Sequence, residues 1–212
     1  DLDPQGGGSG VATMVAGSAI PSSGAARCGA IGVIYYTGHP SDATQMQGWD
    51  GCISGWNVQF ESMDSNGPSA TNYVAVGSAT APGQGVRPVA YKRSDPGKVT
   101  QLLPGEGALK SVQLGANGVL VAVGSRKVPG GSNVASIFRS TDDGATWSSI
   151  PTPSGAKPLN EVINTLTGFV AVGDGGTILR STDGLSWSTV AAPQPAPGAA
   201  PYSLRAIAVK PF

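Results

Sequence analysis

The chain has 212 residues, 13 basic and 13 acidic side chains and a formal net charge of zero, and only 12% of it is charged, against roughly 25% in an ordinary soluble domain. A balanced chain without a basic block argues against nucleic-acid binding, which needs a cationic face. No apolar run reaches the ~18 residues of a membrane-spanning helix. With 40% apolar residues, 32 glycines and 17 prolines, the composition is that of a globular β protein, not a disordered one.

In chain order, Asp1–Gly10 reads as a flexible leader, because Gly6-Gly7-Gly8-Ser9-Gly10 has no side chains to pack. No Met and no charged-then-apolar leader precede it, so an export signal, if the protein carries one, lies outside this sequence. Met14–Ser18 and Gly32–Thr37 read as strands. Cys28 and Cys52 are the two cysteines, and His39 is the one histidine. An even cysteine count in a Gly/Ser/Thr/Pro-rich chain points to a disulfide in an oxidising compartment, with two buried thiols as the alternative. A bridge over roughly two dozen residues would contribute about 3 kcal/mol. No N-x-S/T sequon is present, which suits a bacterial export product. His39 lies in the polar turn Gly38-His39-Pro40-Ser41-Asp42 and cannot complete a zinc site with the cysteines unless carboxylates join.

From here the chain repeats itself. Tyr73-Val-Ala-Val-Gly-Ser78, Leu120-Val-Ala-Val-Gly-Ser125 and Phe169-Val-Ala-Val-Gly-Asp174 recur with a period of roughly 48 residues. Each is a short apolar run ended by glycine, the pattern of a strand buried on both faces and followed by a turn. Each follows another strand-like piece: Trp56–Phe60, Leu109–Leu114 and Leu159–Ile163. Each precedes a third strand ending in Lys92-Arg93-Ser94-Asp95, Phe138-Arg139-Ser140-Thr141-Asp142 or Leu179-Arg180-Ser181-Thr182-Asp183. A fourth short strand follows at Val99–Leu103, Trp147–Ile150 and Trp187–Val190. Four strands per ~40–50 residues is the signature of a propeller blade, a unit that cannot bury its own faces alone. Pro193–Pro201 reads as an extended spacer.

The ends complement each other. Ser203–Val209 resembles a first strand, whereas the N-terminal unit begins with a second-strand motif. We therefore expect an all-β, small β-propeller of four blades of four antiparallel strands, closed by pairing of the C-terminal strand with the N-terminal blade, which removes two exposed edges. The boundaries are a leader at 1–10 and one domain at 11–212, with blades at about 11–55 plus 203–209, 56–104, 109–153 and 159–192. A disulfide would then sit within the shared blade. The alternatives are a piece of a longer propeller, or two copies assembling a larger ring.

Ser140-Thr141-Asp142-Asp143-Gly144-Ala145-Thr146-Trp147 matches the pattern S-x-D-x-G-x-x-W, Ser181–Trp187 is one residue shorter, and Ser94-Asp95-Pro96-Gly97 is a degenerate copy without tryptophan. On these residues the chain resembles the Asp-box (BNR-type) repeat propellers, and in particular those of the photosystem II stability/assembly-factor type. The resemblance covers about 109–190 well and the rest by pattern. It implies a peripheral, structural turn in which Asp142 and Asp183 accept backbone N–H groups, Gly144 and Gly184 take a positive φ, Ser140 and Ser181 open the turn, and Trp147 and Trp187 cover it. It also implies assembly or partner-holding roles.

Catalytic sets are poorly supplied. Arg93, Arg139 and Arg180 occupy one repeat position and are expected to brace hairpins, not to converge as a sialidase arginine cluster; a sialidase also resembles a six-bladed ring, for which this chain is short. No G-x-S-x-G elbow accompanies His39. Glu61 and Glu161, beside first strands, could form a carboxylate site only by facing the channel together. No D-x-D-x-D-G calcium loop is present. No catalytic residue, metal or cofactor is expected. Candidate binding residues are Arg87, Arg126 and Lys127 on the variable loops after the second strands, and the aromatics Trp49 and Trp56, with Tyr35 and Tyr36. The expected function is a non-catalytic exported module for binding or assembling proteins, with a protein partner or copies of itself. The alternatives are a carbohydrate-binding propeller that takes a glycan, and a subunit of a surface appendage or coat.

Overall fold

A computed structural model describes residues 11–19, 28–36, 43–65, 73–94, 97–192, 196 and 199–208; for 11–51 it describes the backbone path. The chain is all-β. The first sheet is three-stranded, with β1 (Val11–Ala19), β2 (Cys28–Tyr36) and β3 (Ala43–Gly51) side by side. The second holds β4 (Asn57–Ser65), β5 (Tyr73–Thr80), β6 (Arg87–Ser94) and β7 (Gly97–Leu102). The third holds β8 (Gly107–Leu114), β9 (Leu120–Arg126), β10 (Val134–Ser140) and β11 (Ser148–Ile150). The fourth holds β12 (Leu159–Thr165), β13 (Gly168–Gly173), β14 (Ile178–Ser181) and β15 (Ser188–Thr189). Each is an antiparallel meander in chain order, as short tight connections dictate. Among the described residues no helix is long and apolar enough to cross a membrane.

The Val-Ala-Val-Gly runs of the second and third sheets are apolar at every position because both of their faces are covered. Leu120 and Ala122 join Val74, Val76, Leu109 and Phe138 in the core between the second and third sheets. Their neighbours Val121 and Val123 join Leu159, Val162, Phe169 and Leu179 between the third and fourth. A strand's side chains alternate between faces, so one strand feeds two cores. Phe60, Tyr73 and Tyr91 form a third cluster on the other face of the second sheet, with ring centroids 5.7 and 6.0 Å apart. β1 and β2 lie against β4.

The inner strand of each four-stranded sheet carries a bulge at one register position, between Phe60 and Ser62, Leu109 and Ser111, and Leu159 and Glu161. Opposite the bulge stands a glycine. A Cβ on Gly77, Gly124 or Gly173 would lie 1.9, 2.0 or 2.1 Å from the carbonyl oxygen of Gln59, Ala108 or Pro158. The glycine that ends each run is therefore required by close backbone approach, not by a turn.

Among the described residues no ladder joins the C-terminal segment to the N-terminal sheet. Residues 203–208 belong to no strand, and the sheet of β1 has three members. The segment bonds to the fourth sheet: Leu204 N–H donates to Gly173 O at 3.0 Å, and Gly176 N–H donates to Tyr202 O at 2.6 Å. Val209, the leader, His39, Asp95, Pro96 and most of the 193–198 spacer lie outside the described residues.

Cys52 is disulfide-bonded. The backbone pairs Gly29 with Gly51, so continuing that register by one step sets Cys28 opposite Cys52.

Candidate functional site: the interblade turns and the face of the fourth sheet

The two full Asp-box turns are built by side chains closing on their own backbone. Ser140 Oγ accepts the Gly144 N–H at 2.9 Å and donates to Asp142 Oδ1 at 2.7 Å. Asp142 Oδ1 also accepts the Thr146 N–H at 2.8 Å, and its Oδ2 takes the Thr146 hydroxyl at 2.6 Å. The Trp147 indole N–H donates to Gly144 O at 3.1 Å. In the shorter turn Asp183 Oδ1 accepts from Leu185 N and Ser186 N at 2.8 and 3.1 Å, Gly184 N donates to Ser181 Oγ at 2.8 Å, and Trp187 donates to Gly184 O at 3.1 Å. Gly144 and Gly184 have φ of 83° and 75°. In the longer turn Asp143, with φ 56°, takes the extra left-handed step.

These bonds set the carboxylates' acidity. Burial works to raise the Asp142 carboxyl, but the bonds from Thr146 and Ser140 and the nearby Lys92 charge outweigh it, and the group lies below the usual range. The Ser186 and Leu185 amides hold Asp183 low in the same way.

Each turn is also a plug. Gly144 rests on the second sheet, where a Cβ would meet Val74 Cγ2 at 2.6 Å; Gly184 rests on the third, where it would meet Val121 Cγ2 at 2.8 Å. Beside each valine a cation from the same sheet secures the turn. Lys92 Nζ donates to Asp142 O at 3.0 Å, and Arg139 Nε to Asp183 O at 3.0 Å. Gln101 adds bonds of 3.2 Å to Gly144 O and Ala145 O.

This corrects the sequence alignment of the basic residues. Cross-strand register pairs Val74 with Lys92, Val121 with Arg139 and Val170 with Arg180. The repeat position is thus Lys92/Arg139/Arg180, not Arg93/Arg139/Arg180. Lys92 and Arg139 brace the following sheet's hairpin, where the sequence pattern implied their own. Only cross-strand register could assign this, since Lys92 and Arg93 are adjacent and both basic.

In the fourth sheet no turn among the described residues fills the same receptor. Val170 and Arg180 line a pocket of 450 Å³ together with Thr167, Thr182, Trp187 and Ser188. Arg180 is exposed, and its Nε bonds to Ser188 Oγ of its own sheet at 3.4 Å.

The other candidates are dispersed. Arg87 Nη2 donates to Leu103 O at 2.9 Å. Lys127 pairs with Glu106 at 3.0 Å on the surface, and the two line a small pocket with Val86, Ser125 and Asn133. Arg126 is exposed nearby. Trp56 packs half-buried against the Val58–Phe60 core. Trp49 lies on β3 opposite Ile31. Glu61 bridges to Lys110 at 3.2 Å, whereas Glu161 accepts the Ile207 N–H, so the two do not form a common carboxylate site.

No family profile and no curated protein matches the chain. Among solved structures it is similar to Trypanosoma rangeli sialidase, with a TM-score of 0.56 at 13% identity, covering 84% of this chain and 36% of the sialidase. The same enzyme in complex with 2,3-difluorosialic acid, a covalent intermediate, gives 0.55 at 13% identity, covering 84% and 35%. The chain thus spans well under two thirds of those enzymes. At this identity the likeness concerns the fold. Together with the turns described above, it defines an all-β fold of the Asp-box propeller type.

Proposed function

We propose that this protein is a non-catalytic, exported module that binds or assembles proteins through the face of its fourth sheet. The observation that carries the reading is the Val170–Arg180 receptor, which no turn among the described residues fills, and whose two counterparts in the same molecule each hold a hairpin turn. A face built to seat backbone carbonyls on a valine floor beside a cation suits a protein partner. The resemblance to assembly-factor propellers agrees with it, as does the scattering of the Glu61, Glu161 and Arg139 side chains into structural bonds. A Cys28–Cys52 bridge, which the β2–β3 register favours, would suit an oxidising compartment.

The test is retention of partner protein on immobilised wild type and on Val170→Glu. We expect retention by the wild type and its loss in the variant, with melting temperature unchanged. Equal retention by both removes the fourth sheet from the reading, and turnover of a sialoside substrate would replace the reading with an enzymatic one.

The second reading, carbohydrate binding, draws on the sialidase likeness of the fold and on the small pocket lined by Val86, Glu106, Ser125, Lys127 and Asn133. Saturable binding on a glycan array, lost in Lys127→Ala, would support it.

A further inference from the structure

The third sheet turns from β8 into β9 through Gly115-Ala116-Asn117-Gly118. Two main-chain bonds close this tip: Gly115 N–H donates to Val119 O at 2.7 Å, and Val119 N–H donates to Ala116 O at 3.3 Å. Between them Asn117 takes the left-handed region, with φ 57° and ψ 30°, and Gly118 follows at φ 74°. Asparagine tolerates this conformation better than most residues with a Cβ, and glycine adopts it freely. Asn117 stands exposed at the tip. The tip itself is clamped on two sides. A Cβ on Gly115 would meet Phe169 Cζ of the fourth sheet at 2.2 Å, and one on Gly118 would lie 3.7 Å from Asp143 Oδ1 in the third sheet's own Asp-box turn.

An asparagine followed by glycine carries its own electrophile and nucleophile. The Asn117 side-chain carbonyl carbon lies one bond beyond Cβ, and the Gly118 main-chain nitrogen closes a five-membered ring on it when the peptide plane between the two residues turns. Two local features ease that turn. Asn117 already has the positive φ of the first central residue of a type II′ turn, the turn that accommodates such a ring, so only ψ has to change. Gly118 has no Cβ to strike the ring as it forms. The other described asparagines lack the second feature: Asn57 and Asn133 precede valine, Asn160 precedes Glu161 and Asn164 precedes Thr165. A β-branched neighbour is stiff and crowds its own nitrogen.

We infer that Asn117 is a site of spontaneous covalent modification, converted through a succinimide to aspartate and isoaspartate, and that the change loosens the clamp between the third and fourth sheets. The Gly118 nitrogen bonds to Asn117 Cγ and gives up its proton, the Cγ–Nδ2 bond breaks, and the side-chain nitrogen leaves as ammonia. Water then opens the ring. Attack at Cγ restores the main chain and leaves aspartate. Attack at the main-chain carbonyl carbon leaves isoaspartate, whose backbone runs through Cβ and is one methylene longer. Water is consumed and ammonia released, with no change of oxidation state. Either product adds a negative charge near Asp143, where like charges repel. Isoaspartate also lengthens a tip held on two sides, and in a close-packed contact the longer chain pushes Gly115 off the Phe169 ring.

The experiment uses the full chain, kept folded for several weeks in mildly alkaline buffer at body temperature, then denatured and digested with trypsin. Cleavage after Lys110 and Arg126 isolates Ser111–Arg126, in which Asn117 is the one asparagine. We expect this peptide to gain about one dalton and to split into two isomers, with fragment masses that place the gain at residue 117. The peptide Val128–Arg139, whose Asn133 precedes a β-branched valine, should gain at most roughly a tenth as much. Aged chains should melt below fresh ones. Asn117→Gly, which suits the left-handed φ, should keep its fresh melting temperature through the same ageing. A Ser111–Arg126 peptide that gains no mass would overturn the site. Mass gain there with an unchanged melting temperature, or an equal ageing loss in Asn117→Gly, would overturn its coupling to the clamp.

Discussion

Arg139 and Asp183 lie 44 residues apart in sequence, yet the guanidinium Nε of the first donates to the main-chain carbonyl of the second at 3.0 Å. The bond carries no sequence specificity on the acceptor side, and Lys92 makes its equivalent with Asp142 O. A cation that grips a backbone carbonyl holds whatever turn has the right shape. That explains how a degenerate repeat keeps its sheets in register.

Arg139→Ala and Lys92→Ala should each cost only about 0.5–1 kcal/mol, because both bonds are exposed and the net worth of such a bond is small. The two act on different sheet pairs, so their effects should add. Chemical denaturation of the single and double variants measures this. Losses above about 2 kcal/mol for either would mean that the cation also supports packing.

Gly124→Ala should be severe despite its single added carbon. The new Cβ would sit 2.0 Å from Ala108 O and 2.7 Å from Leu109 Cα, and backbone cannot swing aside as a side chain can. We expect a loss of about 2–3 kcal/mol or more. Gly131→Ala, whose nearest neighbour is Val128 Cγ1 at 3.5 Å, should change stability by less than about 0.5 kcal/mol. Comparable melting of the two variants would refute the bulge argument.

Trp147→Ala should destabilise by about 2–3 kcal/mol. Sequence alone implied about 3–5 kcal/mol for a fully buried ring, but Trp147 is half-buried over the core shared by the second and third sheets. Trp187→Ala should act similarly through the next core, where its ring lies 6.5 Å from Phe169. A change under about 1 kcal/mol in both would remove the tryptophans from the packing account.

Acid should weaken the fold from a defined point downward. Asp142, Asp174 and Asp183 all titrate below their ordinary range when folded. Asp174 does so chiefly because Ser203 and Asn160 donate to it. Unfolded, each carboxyl takes up its proton near pH 3.9; folded, it does so at lower pH. Between these points the unfolded chain binds more protons, so stability falls as pH falls. Melting temperature should be level from neutrality to about pH 5 and decline below about pH 4. Asp142→Asn and Asp183→Asn should each flatten that decline. A melting temperature that rises on acidification would contradict the assignment.

What the amino-acid order determined by itself is local chemistry repeated at intervals. Alternating burial on two faces makes Val-Ala-Val-Gly uniformly apolar, a serine-aspartate-glycine turn closes on its own amides, and these signals need only neighbouring residues. They marked the strands, the hairpins and the Asp-box geometry. The tertiary structure decided everything that depends on which backbone lies across from which. Pairing of the second and third strands sets Lys92, not Arg93, opposite Val74, the place Arg139 and Arg180 take opposite Val121 and Val170. The side chains of a third strand reach the next sheet's turn because the sheets stack face to face. The C-terminal segment bonds to the fourth sheet, where Glu161 accepts the Ile207 N–H as Ser62 and Ser111 accept those of Val112 and Val162. Such choices rest on cross-strand contacts between residues roughly 50 apart, to which the periodicity of a single chain is blind.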